Sequence, residues 1–586
     1  MISLSDYIKL ENNITNVNED YYLYDIKIAI LSSYTITGIS SVLNVLSHNN
    51  KIKSTIYESN YNEYVQDILN SDSDLYKFKP DIIFLNVDIL SLFGRFYFIP
   101  YDLNTELRKK NIEDIFFNFK NLISTLSLNL NCKIIVNNLL IPNYSPLGIY
   151  ENKQEYGFIE SITSFNIKLN EVFFSNPHIN IFDFNSFCSN LGKKNIFNYK
   201  FYYLGDFKIN PLFIPNFSYE YFRYIKTLKV PSKKCIILDL DNTLWGGVIG
   251  ESSINEIHLG PTKEGRPFME FQLHLLALYQ RGIILAINSK NNYEDAMYII
   301  DNHPDMILKK NNFASIKINW NNKVDNIKSI ADELNIGFSS LVFIDDDNLN
   351  IDLTKNYLPE VTSILLPKDT SKYVETLMEL SCFDTYTLTD EDINKGKMYY
   401  ENSQRKNLLL TQTNFDDYIK SLEITLEFEF NNINHIGRVF QLCQKTNQFN
   451  LTTYRYSLEQ IELMYKENII ITLNVSDKFG NSGLTGLAII KKSNYNEWEI
   501  DTFLLSCRVL GRNIETSFLN LIINEAKKNN ILNIHGKYIP TSKNVLTKNF
   551  YINNNFKKIN ETSFLYNLNK KIIPISTKLH NIKLIK

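Results

Sequence analysis

Cysteine is scarce in this sequence: the chain has six cysteines among 586 residues, far apart and without a Cys-x-x-Cys pair. That spacing argues against a disulfide framework and against a structural zinc site. An excess of charge of one sign is also lacking, since 61 basic and 64 acidic residues give a formal net charge of −3. The summed charge therefore predicts neither nucleic acid nor a membrane surface as a partner.

We expect neither a secretory leader nor a membrane-spanning run. Acidic residues occur within the first eleven positions, and the longest apolar stretch, 81–100, is interrupted by Asp88 and Arg95. Apolar residues are nevertheless abundant, at 44% of the chain, and aromatic residues reach 13%. This composition is typical of a folded chain, and we expect a globular cytoplasmic protein.

The length predicts three or four domains, at about 150 residues each. Residues 1–230 alternate short apolar runs, such as 27–31, 81–85 and 133–136, with longer segments of helical spacing. Buried strands separated by helices indicate a parallel sheet that is covered on both faces. The region 1–230 is therefore predicted to be an α/β domain.

Three further segments follow. Residues 231–369 repeat the α/β pattern, with strands at 235–240, 282–287 and 341–344 and helices near 268–280, 293–302 and 323–334. Residues 370–420 are rich in Glu, Lys and Tyr and predict a helical linker. From 421 to 586 the pattern changes to strands broken by helices near 436–444 and 514–529, which predicts an α+β domain.

Acidic and polar side chains follow the strands of the second domain. Asp239 and Asp241 come at the end of the strand near 235–240, where α/β sheets place their ligands. Two such close carboxylates repel each other unless a cation lies between them, and Mg²⁺ prefers such oxygen ligands. A capped turn is the alternative for this pair alone. Ser289, Lys323 and Asp345 follow later strands, and together the five residues favour a phosphoryl-transfer site.

The segment Asp239-Leu240-Asp241-Asn242-Thr243 resembles the first motif, DxDx[TV], of the haloacid dehalogenase-like phosphotransferases. The resemblance implies that Asp239 attacks phosphorus and that Asp241 first protonates the leaving oxygen and then activates water. Ser289 and Lys323 would hold the phosphoryl oxygens. Mg²⁺ would bind Asp345, Asp239 and the backbone carbonyl of Asp241.

Longer strings between 234 and about 556 resemble the FkbH-like family: LDLDNTLWGGVIGE, LAINSKNN, INWNNK, LVFIDDD, QKTNQFNLTT and SCRVLGRNIE. This family joins a phosphatase domain to an acetyltransferase-like domain. Its known members take a glyceryl unit from 1,3-bisphosphoglycerate, remove phosphate and load the acyl group as a thioester on an acyl carrier protein. One departure is that Asp347, Asn348 and Asn350 replace the Asn, Pro and Glu of the family's DDNPxE, which weakens the expectation for metal affinity.

The resemblances imply the full architecture. Residues 27–31 and the serines that follow resemble the opening of SGNH-type hydrolases. We therefore expect an SGNH-like N-terminal domain, a capless haloacid dehalogenase-like Rossmannoid domain and a GNAT-like α+β domain. Only 50 positions separate Asp239 from Ser289, and 56 separate Ser289 from Asp345, so little room is left for an inserted lid. The third domain is then expected to screen the pocket. Trp245 and the Gly246-Gly247 pair could form the opening of the pocket, since glycine permits close backbone approach. For Trp245 the alternative is ordinary packing.

The segment 506–514 follows a predicted strand and opens a helix. Free N–H groups there favour an anion, and the resemblance to acetyltransferases implies a pantetheine or pyrophosphate site that includes Arg508, Gly511 and Arg512. Cys507 is the candidate acyl acceptor, with a buried structural thiol as the alternative. Polar residues that could grip an acyl unit, or cap turns, are Gln444, Asn447 and Asp477.

The two ends of the chain give weaker signals. Between 557 and 586 there are seven lysines and one acid, which could steer an acidic carrier or form a solvated terminus. Near the start, 27–34 resembles the opening of SGNH-type hydrolases, with serines at 32 and 33. A working esterase also needs an Asp-x-x-His late in the domain. The late part of this domain, before Lys234, has no such motif, and His178 is its only histidine. We expect this domain to be catalytically silent and to bind or position partners.

The sequence thus predicts an Mg²⁺-dependent acyl-loading enzyme of the glyceryl-transferase type, with the phosphopantetheine arm of an acyl carrier protein as partner. One alternative is a phosphatase that acts on a small phosphorylated metabolite. The other is a non-catalytic scaffold in a biosynthetic complex.

Overall fold

The computed structural model describes residues 2–14, 19–249, 257–412, 414–494, 496–569 and 579–585. Its internal contacts divide the chain into two units. One comprises Met1–Ser232 with Ser381–Tyr386, and the other comprises Lys233–Leu380 with Thr387–Lys586. Among the described residues, none of the helices combines the length and the apolar character that crossing a membrane requires.

A five-stranded parallel sheet forms the centre of the N-terminal unit, in the order β2-β1-β3-β4-β5. Its strands are β1 (Tyr24–Ser32), β2 (Ile52–Glu58), β3 (Ile82–Asn86), β4 (Lys133–Asn137) and β5 (Ile179–Phe182). Every residue of β3 is buried. Neighbouring side chains of β3 enter two different hydrophobic clusters, Ile83 on one face and Phe84 on the other. The prediction of a parallel sheet covered on both faces is confirmed.

Helices cover this sheet. They are α1 (Leu4–Ile14), α2 (Ile39–Asn49), α3 (Tyr64–Leu69), α4 (Asp74–Phe78), α5 (Ile89–Phe93), α6 (Thr105–Asn129), α7 (Phe158–Phe173), α8 (Phe184–Leu191), α9 (Lys193–Ile196), α10 (Tyr199–Gly205) and α11 (Ile214–Lys229). The short segment Ser381–Tyr386 also belongs here: Arg223 of α11 forms an ion pair with Asp384 at 2.9 Å, and Tyr386 donates to the carbonyl of Tyr224.

The second unit begins with another parallel sheet, in the order β10-β9-β6-β7-β8. Its strands are β6 (Cys235–Leu238), β7 (Ile284–Ser289), β8 (Phe313–Ile318), β9 (Leu341–Asp345) and β10 (Thr362–Leu365). The central strand β6 pairs with both β7 and β9. Because the strands are parallel, the carboxyl ends of these three meet at one edge. The predicted strand 235–240 is too long, since the chain turns after Leu238 and the N–H of Leu244 bonds the carbonyl of Leu240.

The helices of this region are α12 (Arg266–Gln280), α13 (Tyr293–Asn302), α14 (Lys323–Leu334), α15 (Asn348–Tyr357) and α16 (Tyr373–Met378). The side chain of Asn322 caps α14 by accepting a hydrogen bond from the N–H of Val324. This cap makes Lys323 the first helical residue and places it at the carboxyl edge of the sheet.

The predicted helical linker 370–420 is not one separate piece. Three helices follow α16: α17 (Asp390–Ile393), α18 (Lys395–Thr411) and α19 (Phe415–Ser421). Helix α18 packs against β8 and β7, and a Cβ at Gly396 would come within 2.3 Å of the ring of Tyr279. Close packing on the sheet and the capture of Ser381–Tyr386 by the N-terminal unit break up the linker.

The C-terminal region is α+β, as the sequence predicts. Most of its strand pairs are antiparallel, in the order β17-β18-β16-β15-β14-β13-β11-β19, with β12 paired to β15. The strands are β11 (Thr425–Phe430), β12 (Phe449–Asn450), β13 (Ile469–Asp477), β14 (Gly480–Asn494), β15 (Glu497–Leu505), β16 (Asn533–Lys537), β17 (Lys557–Lys558), β18 (Ser563–Asn567) and β19 (Asn581–Ile585). The helices are α20 (Ile436–Lys445), α21 (Leu458–Glu467), α22 (Ile514–Lys528) and α23 (Phe550–Asn553).

Candidate functional site

The predicted phosphoryl-site residues meet at the carboxyl edge of β6, β7 and β9. Asp239 follows β6 directly and its N–H bonds the carbonyl of Ile344 in β9. Ser289 and Asp345 are the last residues of β7 and β9, and Lys323 is the first residue of α14. The fold therefore brings four separated segments of the sequence to one place.

Lys323 bridges two of the acids. Its Nζ lies 2.7 Å from Oδ2 of Asp239 and 2.6 Å from Oδ2 of Asp345. The lysine is 3% exposed and Asp345 is fully buried. Burial opposes the lysine's charge, but the two carboxylates outweigh that effect and raise the pKa of Lys323. A permanently charged lysine is suited to hold phosphoryl oxygens beside Asp239.

Three carboxylates form a cluster with cation-binding geometry. Oxygens of Asp239, Asp345 and Asp346 lie within 4.8 Å of one another. Burial, followed by repulsion from Asp239, raises the pKa of Asp345 to about 6 and that of Asp346 to about 7. A hard divalent cation relieves this repulsion, and carboxylate oxygens are the ligands Mg²⁺ prefers. The residues present therefore fit the metal that the sequence predicts.

Sequence reasoning missed Asp346 and chose only Asp345. The signal was present, since two acids directly follow the buried strand Leu341–Asp345. The carboxylate of Asp241, which the resemblance connects to the metal only through its backbone carbonyl, is not among the clustered groups. The Oδ1 atom of Asp239 is buried and has no hydrogen-bond partner among the described residues. This oxygen is thus available to react.

Mg²⁺ affinity is expected to depend on pH through this cluster. The raised pKa values mean that Asp345 and Asp346 hold protons below about 6 and about 7, and these protons must leave before a cation binds. Calorimetric titration should therefore show weaker Mg²⁺ binding as the pH falls through 7 and 6, and Asp346→Asn should weaken binding and flatten this dependence. Affinity that is independent of pH would contradict the assignment of these carboxylates.

Asp241 lies beside the cluster and is held by two side chains. The indole Nε1 of Trp245 donates to its Oδ1 at 2.9 Å, and the amide Nδ2 of Asn291 donates to its Oδ2 at 2.9 Å. The same amide donates to Oγ of Ser289 at 3.4 Å. Burial raises the pKa of Asp241, while the bonds from Asn291 and Trp245 oppose that shift. Sequence reasoning did not find Asn291, which lies two residues after Ser289 in the polar stretch that ends β7.

The turn after Asp241 is fixed by local bonds. Asn242 has a φ of 52°, and its side chain accepts a hydrogen bond from the N–H of Gly247 at 3.0 Å. Trp245 is fully buried, and a Cβ at Gly246 would come within 2.8 Å of the ring of Phe268. For Trp245 the packing interpretation is therefore correct, and Gly246 serves close packing instead of an opening. The family-like string that begins here continues to residues 250 and 251, which lie outside the described residues.

The residues that depart from the family pattern have structural partners. Asp347 caps α15, with its Oδ1 accepting from the N–H of Leu349 at 3.0 Å. Its own N–H donates to Oδ1 of Asp345 at 2.8 Å, which orients that carboxylate. Asn350 is buried within α15, and its carbonyl accepts from the hydroxyl of Thr354. The loss of the family's glutamate therefore leaves the orientation of Asp345 supported by the backbone.

Cys507 lies away from this cluster. The exposed thiol belongs to a single 3₁₀ turn, Cys507–Val509, and lines a cavity of about 440 Å³ together with residues 332–335 at the end of α14. Cys507 also interacts electrostatically with Lys234, which precedes β6. The thiol thus lies at the amino edge of the sheet, whereas Asp239 lies at the carboxyl edge, and five strand residues separate the edges by about 16 Å.

One expectation for the C-terminal region is therefore wrong. The contacts that join it to the parallel sheet lie near the amino edge, so the residues of this region that the structure describes do not screen the phosphoryl pocket. Helix α22 begins at Ile514, so the prediction that the segment 506–514 leads into a helix is confirmed. The exposed position of Cys507 contradicts the alternative of a buried structural thiol.

The predicted phosphate ligand Arg512 has an internal role. It is buried, its Nη1 lies 3.5 Å from Oδ2 of Asp477, and its Nη2 donates to the carbonyl of Arg508 at 2.7 Å. Arg405 of α18 binds the same Asp477 through two bonds of 2.6 and 2.7 Å. Arg512 therefore has internal partners, and it also lines the cavity that contains Cys507. That it binds a phosphate stays a prediction. Asp477 is likewise a buried ion-pair partner.

The remaining predicted acyl-site residues are dispersed. Arg508 and Gly511, which has a φ of 75°, line the cavity of Cys507. Gln444 lines a different cavity, of about 770 Å³, and donates to the carbonyl of Tyr456. Asn447 accepts a hydrogen bond from Arg455. The structure thus places Gln444 and Asn447 apart from the cavity that contains Cys507.

In the N-terminal unit, the serines and the histidine lie at opposite edges of the sheet. Ser33 follows β1 and accepts a hydrogen bond from the N–H of Asp88 at 2.9 Å, whereas His178 precedes β5. This separation is consistent with a catalytically silent domain. Of the basic tail, Lys557 and Lys558 form β17, while the lysines at 570, 571, 578 and 586 lie outside the described residues.

Two comparisons relate the chain to known proteins. The family model described as FkbH, N-terminal domain, matches residues 27–225. A solved structure, the N-terminal part of a Bacteroides fragilis protein that contains a phosphatase domain and was complexed with Mg, is 27% identical, with a TM-score of 0.60; the match covers 66% of this chain and all of that one. Both matches support the resemblance to the FkbH-like family.

Several acetyltransferase structures match about a quarter of the chain. The Escherichia coli ribosomal-protein-S18-alanine N-acetyltransferase is 10% identical over 24% of this chain and 91% of its own, with a TM-score of 0.20. An N-acetyltransferase from Staphylococcus aureus Mu50 is 16% identical over 25% of this chain and 98% of its own, also with a TM-score of 0.20. No curated protein matches the chain.

Proposed function

We propose that this chain is an Mg²⁺-dependent phosphatase of the haloacid dehalogenase type. The observation that carries the proposal is the buried, unpartnered Oδ1 of Asp239 beside Lys323 and the carboxylate cluster. A reactive carboxylate oxygen, a cation for phosphoryl oxygens and a set of metal ligands in one place suit phosphoryl transfer better than any role in binding alone. The structural similarity to a phosphatase-domain fragment supports it.

The chain's own residues would act in two steps. Oδ1 of Asp239 attacks phosphorus while Lys323 and Ser289 hold the equatorial oxygens, and the bond from phosphorus to the leaving oxygen breaks as Asp241 protonates that oxygen. Asp241, now a carboxylate, takes a proton from water, which attacks the aspartyl-phosphate and releases phosphate. Asp239, Asp345 and Asp346 would hold Mg²⁺, which neutralises phosphoryl charge when bound.

The finer proposal couples this hydrolysis, which would remove the 3-phosphate ester of the substrate, to acyl transfer. The thiolate of Cys507 attacks the carbonyl carbon of 1,3-bisphosphoglycerate, the carbon–oxygen bond to the 1-phosphate breaks, and phosphate leaves with the electron pair. The phosphopantetheine thiol of an acyl carrier protein then displaces Cys507 from the thioester. The support is the family resemblance and the exposed position of Cys507 beside a cavity.

Intact-mass analysis tests the proposal. The protein is incubated with 1,3-bisphosphoglycerate and Mg²⁺, with and without a carrier protein, while released phosphate is measured. We expect a glyceryl-sized or phosphoglyceryl-sized adduct that moves to the carrier. Phosphate release from phosphate esters without any adduct would favour a plain phosphatase. If neither phosphate nor an adduct is detected, the result would favour a scaffold.

A further inference from the structure

The two oxygens of Asp241 have unequal surroundings. Oδ1 accepts the indole N–H of Trp245 at 2.9 Å and the backbone N–H of Ile249 at 3.4 Å. Oδ2 accepts a single described bond, from the amide of Asn291 at 2.9 Å. A carboxylate oxygen has two lone-pair directions. Both are used on Oδ1, so Oδ2 is the oxygen that keeps one direction open.

The donors themselves are held in place. Trp245 is fully buried and its backbone forms a bridge with Asp241. The residue before it, Leu244, is anchored because its carbonyl accepts a 2.7 Å bond from the buried side chain of Gln272. Asn291 is 3% exposed. The carboxylate is thus fixed from two sides by groups that cannot turn freely.

Asn291 also connects Asp241 with Ser289. Its Nδ2 carries two hydrogens, and its two described acceptors are Oδ2 of Asp241 and Oγ of Ser289, the latter at 3.4 Å. Because Oγ of Ser289 accepts this hydrogen bond, its own hydrogen is directed elsewhere and can be donated to a ligand oxygen. One amide therefore sets the orientation of both side chains.

We infer that Trp245 and Asn291 are positioning residues that fix Asp241 so that Oδ2, on the side of Ser289, exchanges the proton with the leaving oxygen. This inference rests on the proposed phosphatase function. Trp245 occupies Oδ1 and prevents the carboxyl group from rotating about its bond to Cβ. The proton is thereby delivered from one fixed oxygen, and a misplaced acid would be much less effective.

Leaving-group dependence tests this role. Single-turnover release is measured for two substrates: 4-nitrophenyl phosphate, whose leaving group departs without a proton, and glycerol 3-phosphate, whose alkoxide must be protonated. We expect Trp245→Phe, which keeps an aromatic ring but removes the N–H, to slow glycerol release about 10²-fold and to leave the first release of 4-nitrophenolate nearly unchanged. Asn291→Ala should discriminate in the same direction.

A double-mutant cycle separates positioning from damage to the fold. In an Asp241→Asn background, Trp245→Phe should cause no further loss, because the group it positions is already gone. Trp498→Phe, the same change at a buried tryptophan of the C-terminal region, serves as the control and should leave the ratio of the two rates unchanged. Should Trp245→Phe fail to fold, Asn291→Ala carries the same comparison.

The outcomes distinguish this inference from the proposed function. Equal losses for both substrates in Trp245→Phe and in Asn291→Ala, or additive losses in the cycle, would overturn the positioning role while the phosphatase stands. A wild-type protein that releases neither leaving group in the presence of Mg²⁺ would overturn the proposed function, and this inference with it.

Discussion

Asp239→Asn is expected to reduce phosphate release by at least about 10⁴-fold, of the order seen when an enzyme loses its covalent nucleophile. The amide that replaces the carboxylate cannot form an aspartyl-phosphate. The measurement is steady-state phosphate release from a phosphate ester with saturating Mg²⁺. Phosphate release at more than a tenth of the wild-type rate would show that another group attacks phosphorus.

The melting temperature of Asp239→Asn shows whether the substitution damages folding. Asp239 raises the pKa values of both Asp345 and Asp346, after burial, so its removal relieves repulsion in the metal-free protein. Because the substitution also removes one of the two carboxylates that pair with Lys323, the melting temperature of Asp239→Asn without Mg²⁺ should stay close to that of the wild type. Asp301→Asn, at an exposed position on α13, is the matched control and should retain full activity. A marked drop in melting temperature would assign the loss of activity to damaged folding.

Cys507→Ala is expected to stop carrier loading and to leave hydrolysis of simple phosphate esters within about twofold of wild type. The physical reason is the separation of about 16 Å between the amino and carboxyl edges of the parallel sheet. Loading is followed by the mass of the carrier protein, and hydrolysis by phosphate release from glycerol 3-phosphate.

Cys382→Ala, at a partly exposed cysteine of the N-terminal unit, is the matched control for loss of a thiol and should load the carrier normally. Normal loading by Cys507→Ala would remove the thiol from the reaction. Loss of both activities in Cys507→Ala alone would mean that the two sites depend on each other despite their separation.

Much of the phosphoryl site could be predicted from the sequence. Asp239, Ser289 and Asp345 follow apolar runs of strand length, and parallel pairing brings the ends of such strands together whatever the loops contain. Lys323 could be placed because its helix begins after a clear polar cap. These predictions depend on local patterns and on the direction of the strands, both of which the sequence carries.

The contacts around Asp241 could not be predicted in this way. Trp245 bonds Asp241 because the chain turns sharply after Leu238, with Asn242 at a positive φ. The alternation of the strand does not specify the path of the chain through this turn. Asn291 contacts Asp241 from the loop after the neighbouring strand β7. Whether its side chain reaches Asp241 depends on the conformation of that loop, which the sequence pattern does not specify. Asp346 was overlooked because a run of three acids does not say which of them points inward.

The position of the C-terminal region was the largest error. The observed position depends on helix α18. Gly396 of this helix lies against Tyr279, and Arg405 forms an ion pair with Asp477 of β13. These partners are far apart in the sequence, and no pattern in either segment indicates the other. The short spacing between Asp239, Ser289 and Asp345 indicates that no lid domain is inserted. It does not indicate which edge of the parallel sheet the C-terminal region contacts.

Helix α18 is fastened on two sides, by Lys406 to the carbonyl of Glu333 and by Arg405 to Asp477. These contacts hold the turn that contains Cys507 at the amino edge of the parallel sheet, opposite the edge where Asp239 lies. Under the proposed function, a three-carbon unit bound to that thiol is too short to reach the other edge. A longer, flexible group, such as the arm of a carrier protein, would have to move that unit between the two edges.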